Sequence, residues 1–100
     1  MKNDLKSGAV DLLFNSILQL KNTDECYEFF EDLCTVHEIQ SLAQRLEVAK
    51  LLKDKETYAA IAAKTGASTA TISRVNRSLA YGNDSYTMIF DRLGEETNDK

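Results

Sequence analysis

Apolar residues recur at helical spacing along most of the chain and predict an all-α protein of about six helices. Ser7 to Leu20 carries a wide apolar face, and Asp24 to Leu33 is a short segment rich in aromatic residues. Thr23 or Asp24 is the expected cap of the second of these helices. No run of alternating apolar and polar residues is long enough to indicate a β-strand, so the sequence predicts helices without a sheet.

The third and longest predicted helix begins after Thr35, which forms a capping box with Glu38, and runs to about Lys53. Its apolar stripe consists of Ile39, Leu42, Ala43, Leu46, Ala49 and Leu52. Val48 and Leu51 add a second apolar edge. A helix with apolar residues on two sides exceeds the needs of one small domain and suggests a partner chain.

Residues 57–79 predict two helices joined by a glycine turn, the helix-turn-helix arrangement. Ala62 leaves room where the helices cross, and Gly66 adopts the left-handed backbone that ends the first helix. Ser68 is the expected N-cap of the second helix, in which Ile72 and Val75 face inward. A last helix is predicted over residues 85–93 with a frayed polar end beyond it, and residues 1–100 are expected to form a single domain.

The second helix of this pair presents small, hydroxylated and basic side chains on its outer side. These candidate DNA contacts are Ser68, Thr69, Ala70, Thr71, Ser73, Arg74 and Arg77. The residues at 69–71 are best placed for base edges, because the N-terminal end of such a helix enters the groove deepest. Arg74 can meet a phosphate or a guanine edge, and Arg77 a phosphate. Lys50 and Lys53 are expected to attract phosphate generally or to be solvated.

Charge is distributed unevenly along the chain. The net charge is −4, yet residues 40–82 hold 7 Lys/Arg against 3 Asp/Glu, a local charge of +4. Residues 1–39 hold 3 against 8, and residues 83–100 hold 2 against 5. The local field, rather than the total charge, decides which surface meets phosphate. Double-stranded DNA is therefore the predicted partner.

Several other classes of protein do not fit the composition. No apolar run approaches membrane-spanning length and no signal peptide opens the chain, so we expect a cytoplasmic protein without a membrane partner. Cys26 and Cys34 are expected as reduced, buried thiols, and with His37 they are too scattered for a zinc site. Without a nucleophile beside a base, or a glycine-rich phosphate loop, we expect no enzyme, metal or cofactor.

The chain resembles the Trp-repressor superfamily and, within it, the Trp-repressor-like YerC/YecD family of bacteria. The resemblance rests on residues 33–52, where Leu42-Ala43-Gln44-Arg45 matches the family's central helix, and on Ala-Thr-Ile-Ser-Arg at 70–74, which matches its DNA-reading element. It implies an interlocked homodimer, with residues 7–53 supplying the dimer helices and residues 68–79 entering the major groove. It also implies a transcriptional repressor of palindromic operators, whose two recognition helices lie about 34 Å apart.

The resemblance also implies a ligand pocket that is altered in this chain. Tryptophan repressors hold L-tryptophan between two arginines, which match Arg45 and Arg74. Their serine that meets the ligand's amino group matches Ser78, and their threonine at the pocket edge matches Thr35. The residue after the second arginine is a glycine in those proteins and is Val75 here. Because a β-branched side chain fills the space of the indole ring, we expect a smaller ligand or none.

Two alternatives to these assignments remain open. Arg45 can instead form a surface ion pair with Glu38 or Glu47. The whole chain can instead be a protein-interaction module, in which the acidic helices within residues 7–33 bind another protein and the helix-turn-helix merely packs. The salt dependence of DNA binding distinguishes an interaction module from a DNA-binding protein, because DNA binding through several lysines and arginines weakens steeply as salt rises.

Overall fold

The computed structural model describes residues 5–98, with side chains described as far as Glu95. Residues 8–98 contain six α-helices and no strand, which confirms the predicted all-α class for that range. The helices are α1 Gly8–Ile17, α2 Thr23–Leu33, α3 Val36–Lys53, α4 Tyr58–Thr65, α5 Thr69–Tyr81 and α6 Ser85–Asn98. None of these six has the length together with the apolar content that crossing a membrane requires.

The chain divides into two compact units, one extending to Val36 and the other beginning at His37. In the N-terminal unit, neither α1 nor α2 has a fully buried side chain, and Leu12 and Leu18 are 69% and 76% exposed. Cys26 and Cys34 are free and only half-buried, so the prediction that both thiols are buried is wrong. The helices of this unit are too few to enclose a core among themselves.

The cap of α2 lies one residue before the predicted ones. Asn22 has an extended backbone, with φ −156°, and its side-chain oxygen accepts a hydrogen bond from the Glu25 amide at 2.8 Å. The Glu25 carboxylate in turn accepts a hydrogen bond from the Lys21 amide at 2.9 Å. Because this exchange satisfies two amides at once, Asn22 rather than Thr23 or Asp24 is the N-cap of the helix.

The core of the C-terminal unit lies where α3 meets the helix-turn-helix. Its buried side chains are Val48, Ala49, Ile61, Ala67, Ile72 and Val75. On α3 the burial comes from Val48 and Ala49, both 0% exposed, whereas Leu42 and Leu46 are 48% and 46% exposed. The predicted apolar stripe is therefore only partly correct, because the helix-turn-helix packs on the side that contains Val48.

The helix-turn-helix has the turn at Gly66 and the cap at Ser68 that its sequence predicts, and Thr57 supplies a further cap beyond that prediction. Thr57 caps α4 by accepting a hydrogen bond from the Ala60 amide at 3.1 Å. Gly66 follows α4 with φ 74°, and its amide donates to the Ala62 carbonyl at 2.9 Å. Ser68 then caps α5. Each helix end thus has a partner for its free backbone groups, which fixes the length of the turn.

The last helix is longer than predicted. α6 begins at Ser85 as expected, but it continues through Gly94 to Asn98 instead of ending at residue 93. A glycine inside a helix costs only about 0.5–1 kcal/mol relative to alanine, which does not suffice to stop it here. Near its start, the rings of Tyr86 and Phe90 stack with centroids 6.3 Å apart, and both side chains pack against the core.

Substitution of two glycines by alanine should change stability in opposite directions. A Cβ at Gly66 meets no atom within 4 Å, but the left-handed backbone disfavours any L side chain, so Gly66→Ala should destabilise by about 1–2 kcal/mol. A Cβ at Gly94 also meets nothing and lies in a helix, so Gly94→Ala should stabilise by up to about 1 kcal/mol. Urea unfolding measures both changes, and equal effects would contradict the assignment of Gly66 to the turn.

The N-cap of α5 gives a second test of stability. Removal of the capping hydroxyl in Ser68→Ala should cost about 1 kcal/mol, because the Thr71 amide loses its acceptor. Ser73, an exposed serine inside the same helix, is the matched control, and Ser73→Ala should change stability by less than about 0.5 kcal/mol. Thermal unfolding of the two variants distinguishes capping from a general effect of serine removal.

Candidate nucleic-acid interface

The outer face of α5 is open to solvent along its length. Six of the seven predicted contacts are exposed, namely Ser68, Thr69, Ala70, Ser73, Arg74 and Arg77, and Thr71 is half-buried. The opposite face holds Ile72 and Val75, which are 1% and 3% exposed and anchor the helix in the core. The inward and outward sides of α5 are thus as predicted, and contact with DNA stays a prediction.

The first turn of α5 is ordered by two hydroxyl groups. The Ser68 hydroxyl oxygen accepts from the Thr71 amide, and the Ser68 hydroxyl donates to the Thr71 hydroxyl oxygen, each at 3.1 Å. These two hydroxyls are therefore already engaged within the protein. Thr69, Ala70 and Ser73 remain as the exposed small side chains near the start of the helix. The first turn carries no acidic residue, so its positive end is available to an anion.

Two polar contacts that the sequence did not suggest hold α4 in place. The Gln44 side-chain amide of α3 donates to the Thr65 carbonyl at the end of α4, at 3.2 Å. The ammonium of Lys64, in the last turn of α4, lies 2.8 Å from the carboxylate of Glu56, which precedes the helix. The partners are 21 and 8 residues apart in the chain, and only the crossing of the helices brings the first pair together.

Lys50 and Lys53 have intramolecular partners that the sequence did not suggest. The Lys50 ammonium lies over the Phe90 ring, 5.8 Å from its centroid, which is within the range of a cation–π contact. The Lys53 ammonium donates to the Thr87 hydroxyl oxygen at 3.1 Å. Both lysines therefore connect the C-terminal end of α3 with α6. Both are also exposed, and their general attraction of phosphate or solvation stays a prediction.

The residues of the predicted ligand pocket have different surroundings. Arg45, Arg74 and Ser78 are exposed, whereas Val75 belongs to the core, and Thr35 lies in the N-terminal unit. Arg74 and Ser78, four residues apart, share one flank of α5. An open cavity of about 550 Å³ in the C-terminal unit is lined by other residues, namely Gln40, Ala43, Gln44, Glu47 and Thr65. The pocket stays a prediction.

Metal ligands are not grouped in the part of the chain whose side chains are described. There, no three His, Cys, Asp or Glu side chains come together as ligands for an ion. The candidate site consists of an exposed helix face and the contacts that support it.

Proteins of similar sequence share this fold. The chain is 63% identical over 91 residues to an uncharacterized protein, YerC, of Bacillus subtilis, covering 91% of this chain and 88% of that protein. The solved structure of a TrpR-like protein from Eubacterium eligens is 65% identical, with a TM-score of 0.89 over 92% of this chain and 95% of that one. A structure from Staphylococcus aureus is 62% identical, with a TM-score of 0.89 over 92% of each chain.

The family comparison covers both compact units. The model of the Trp repressor protein family matches residues 8–94, from the first residue of α1 into α6. This match, together with the helix-turn-helix and the shared fold, shows that the chain belongs to the Trp repressor family.

Proposed function

We propose that this chain is a sequence-specific DNA-binding transcription regulator that represses by occupying promoter DNA. In this proposal a homodimer binds a palindromic operator, and α5 of each protomer enters the major groove of one half-site. The observation that carries the proposal is the outer face of α5, where small residues precede two exposed arginines on a helix anchored by its buried side. Membership of the Trp repressor family supports it.

The order of side chains along α5 suits an approach by its N-terminal end. Thr69 and Ala70 are short, so the backbone can come close to base edges. The threonine hydroxyl can hydrogen-bond to a base edge, and its methyl can make apolar contact with a thymine methyl. Arg74 lies about one turn further along and Arg77 about another, where the helix rises toward the DNA backbone. We assign base reading to the first two residues and phosphate contact mainly to the arginines.

The charge distribution favours a single orientation on DNA. Residues 40–82 carry +4, and the acidic residues of 1–39 and 83–100 outweigh their lysines and arginines. The basic segment includes α4 and α5, so attraction to phosphate is concentrated where the recognition helix lies. The acidic remainder opposes contact by any other surface and reduces non-specific binding.

A homodimer accounts for apolar side chains that the single chain leaves in solvent. Leu42 and Leu46 of α3 are nearly half exposed, and Leu12 and Leu18 of the N-terminal unit are more exposed still. Burial of one leucine side chain contributes about 1.5–3 kcal/mol, so a second chain covering these residues gains considerable stability. Two-fold symmetry then supplies two recognition helices, as a palindromic operator requires.

We also propose that L-tryptophan is not the effector. Val75 occupies the position where tryptophan repressors have glycine, and its side chain is 3% exposed within the core. An indole ring at this position meets a β-branched side chain that is buried in the core cluster and cannot rotate away without disturbing that cluster. A smaller ligand at Arg45, Arg74 and Ser78 remains compatible with the exposed positions of those three residues.

The rival hypothesis of a protein-interaction module rests on the same exposed apolar side chains. Leu12, Leu18 and Tyr27, the last of which is 64% exposed, lie among acidic residues in the N-terminal unit. A partner protein of different sequence could cover them equally well. This alternative predicts a chain that has no affinity for DNA at low salt, so a binding measurement under that condition decides between the two hypotheses.

Selection of genomic DNA fragments by the purified protein tests DNA reading. The wild type should enrich a palindrome, and the double variant Arg74→Ala, Arg77→Ala should lose the enrichment. The control removes two positive charges outside the helix-turn-helix, by Lys21→Ala with Arg92→Ala, and should enrich the same palindrome.

On the enriched site, removal of one phosphate-binding side chain should reduce the slope of log affinity against log salt by about 1. An equal effect of both double variants, or no enrichment at low salt, contradicts the proposal.

Sedimentation at micromolar concentration tests the dimer. The wild type should sediment with twice the mass of the chain, and Leu42→Asp with Leu46→Asp should sediment as a monomer, because a carboxylate cannot be buried unpaired in the interface. Tyr81→Asp is the control, since Tyr81 is 86% exposed at the end of α5 and lies outside the proposed interface. A wild type that is a stable, folded monomer would exclude the homodimer.

A further inference from the structure

An open cleft of about 450 Å³ lies where the ends of α3 and α5 meet the start of α6. Its lining consists of Leu52, Lys53, Lys55, Asn76, Leu79, Ala80 and Thr87. Asn76 and Ala80 are four residues apart and define one flank of α5, whereas Arg74 and Ser78 define another. The cleft therefore lies apart from Arg74 and Ser78 of the predicted pocket. It adjoins the proposed DNA-contacting face, because Asn76 and Ala80 follow Ser73 and Arg77 by three residues each.

The lining combines an apolar floor with positive charge. Leu52 and Leu79 are half-buried and pack against the core, so they present fixed apolar surface. The Lys53 ammonium is held at the Thr87 hydroxyl, 3.1 Å away, in the first turn of α6. The amino end of a helix carries partial positive charge, which adds to that of the two lysines. An anionic group is the ligand head that this environment favours.

The backbone of Lys55 is unusual and makes the position informative. Its φ is 67°, in the left-handed region that glycine adopts without steric cost. The Lys55 amide donates to the Leu52 carbonyl at 3.0 Å, and the next amide donates to the Leu51 carbonyl at 3.1 Å, which closes the end of α3. Glycine is the usual residue at this place in such a cap. A lysine here strains the backbone but puts a cation beside the cleft, and strained residues of this kind concentrate at functional sites.

We propose that this cleft binds a small amphipathic anion, a single carboxylate or phosphate group carried on a short apolar body. Lys53 and Lys55 hold the anionic head, and Leu52 and Leu79 contact the body. A DNA backbone phosphate has the same charge but offers no apolar group to the two leucines, so the lining favours a free small molecule. Binding here does not depend on the proposed DNA-binding function, and the two proposals can fail separately.

Amide NMR spectra of the full chain, titrated with hexanoate, test the cleft. Hexanoate should cause saturable shifts at Lys55, Asn76, Ala80 and Thr87. Hexanamide, its neutral counterpart, should bind about tenfold more weakly, because it cannot form charge-assisted hydrogen bonds to the lysines. Phenyl phosphate should shift the same amides as hexanoate. No saturable shift, or an equal response to hexanamide, overturns the proposal.

Three lysine substitutions separate the role of the cleft from general effects of charge. Lys55→Gly removes the ammonium and supplies the residue that the backbone favours, so hexanoate affinity should fall about tenfold while the thermal midpoint does not fall. Lys53→Met should weaken binding similarly. Lys50→Met is the matched control on α3, because its ammonium lies over Phe90 and does not line the cleft, and it should leave affinity unchanged. An equal fall in affinity in all three variants overturns the proposal.

A DNA titration distinguishes the two sources of an anion. A short duplex should leave the amides of Lys55 and Thr87, which line the cleft outside α5, unshifted while hexanoate shifts them. If the duplex shifts these amides and hexanoate does not, Lys53 and Lys55 serve the DNA backbone and the small-molecule site is excluded.

Discussion

The position of the recognition helix depends on one apolar contact, that of Val48 and Ala49 on α3 with the inner sides of α4 and α5. Both side chains are completely buried, together with Ile61 and Ile72. Interiors of this kind are close-packed, so a small change in volume at the contact moves the helices against each other. The orientation of the outer face of α5 follows from this packing, since the face can point only away from the side that is buried.

Polar contacts then limit the freedom that the small core leaves. The Gln44 side chain binds the end of α4, the Ser68 hydroxyl closes the start of α5, and two lysines of α3 reach α6. Each net contribution is modest, about 1 kcal/mol for a neutral hydrogen bond, but the contacts are directional where apolar packing is not. They fix which turn of one helix lies beside which turn of the next, and so give the helix-turn-helix a defined angle on α3.

The N-terminal unit and the C-terminal unit differ in what they bury. The C-terminal unit encloses a core, whereas α1 and α2 expose large apolar residues and contain no fully buried side chain. Such a surface has a high free energy in water and is stable only when covered. In the proposed homodimer these helices would supply the contact while α4 and α5 stay free, which would separate assembly from DNA reading. The proposed anion-binding cleft beside Lys55 would add a third surface, bounded by the ends of α3 and α5 and the start of α6.

The sequence by itself determined the features that depend on neighbours within a few residues. The helices, the cap at Ser68, the turn at Gly66 and the buried side of α5 all follow from periodicity and local hydrogen bonding. Most of the candidate DNA-contacting face could therefore be predicted before the fold was known. The tertiary structure decided which edge of α3 forms the core, and it gave Lys50, Lys53 and Gln44 their partners. Lys53 and Thr87 are 34 residues apart, and nothing in local spacing indicates that they meet. Contacts of that kind depend on how whole helices cross, which is a property of all the packed side chains together rather than of any one segment.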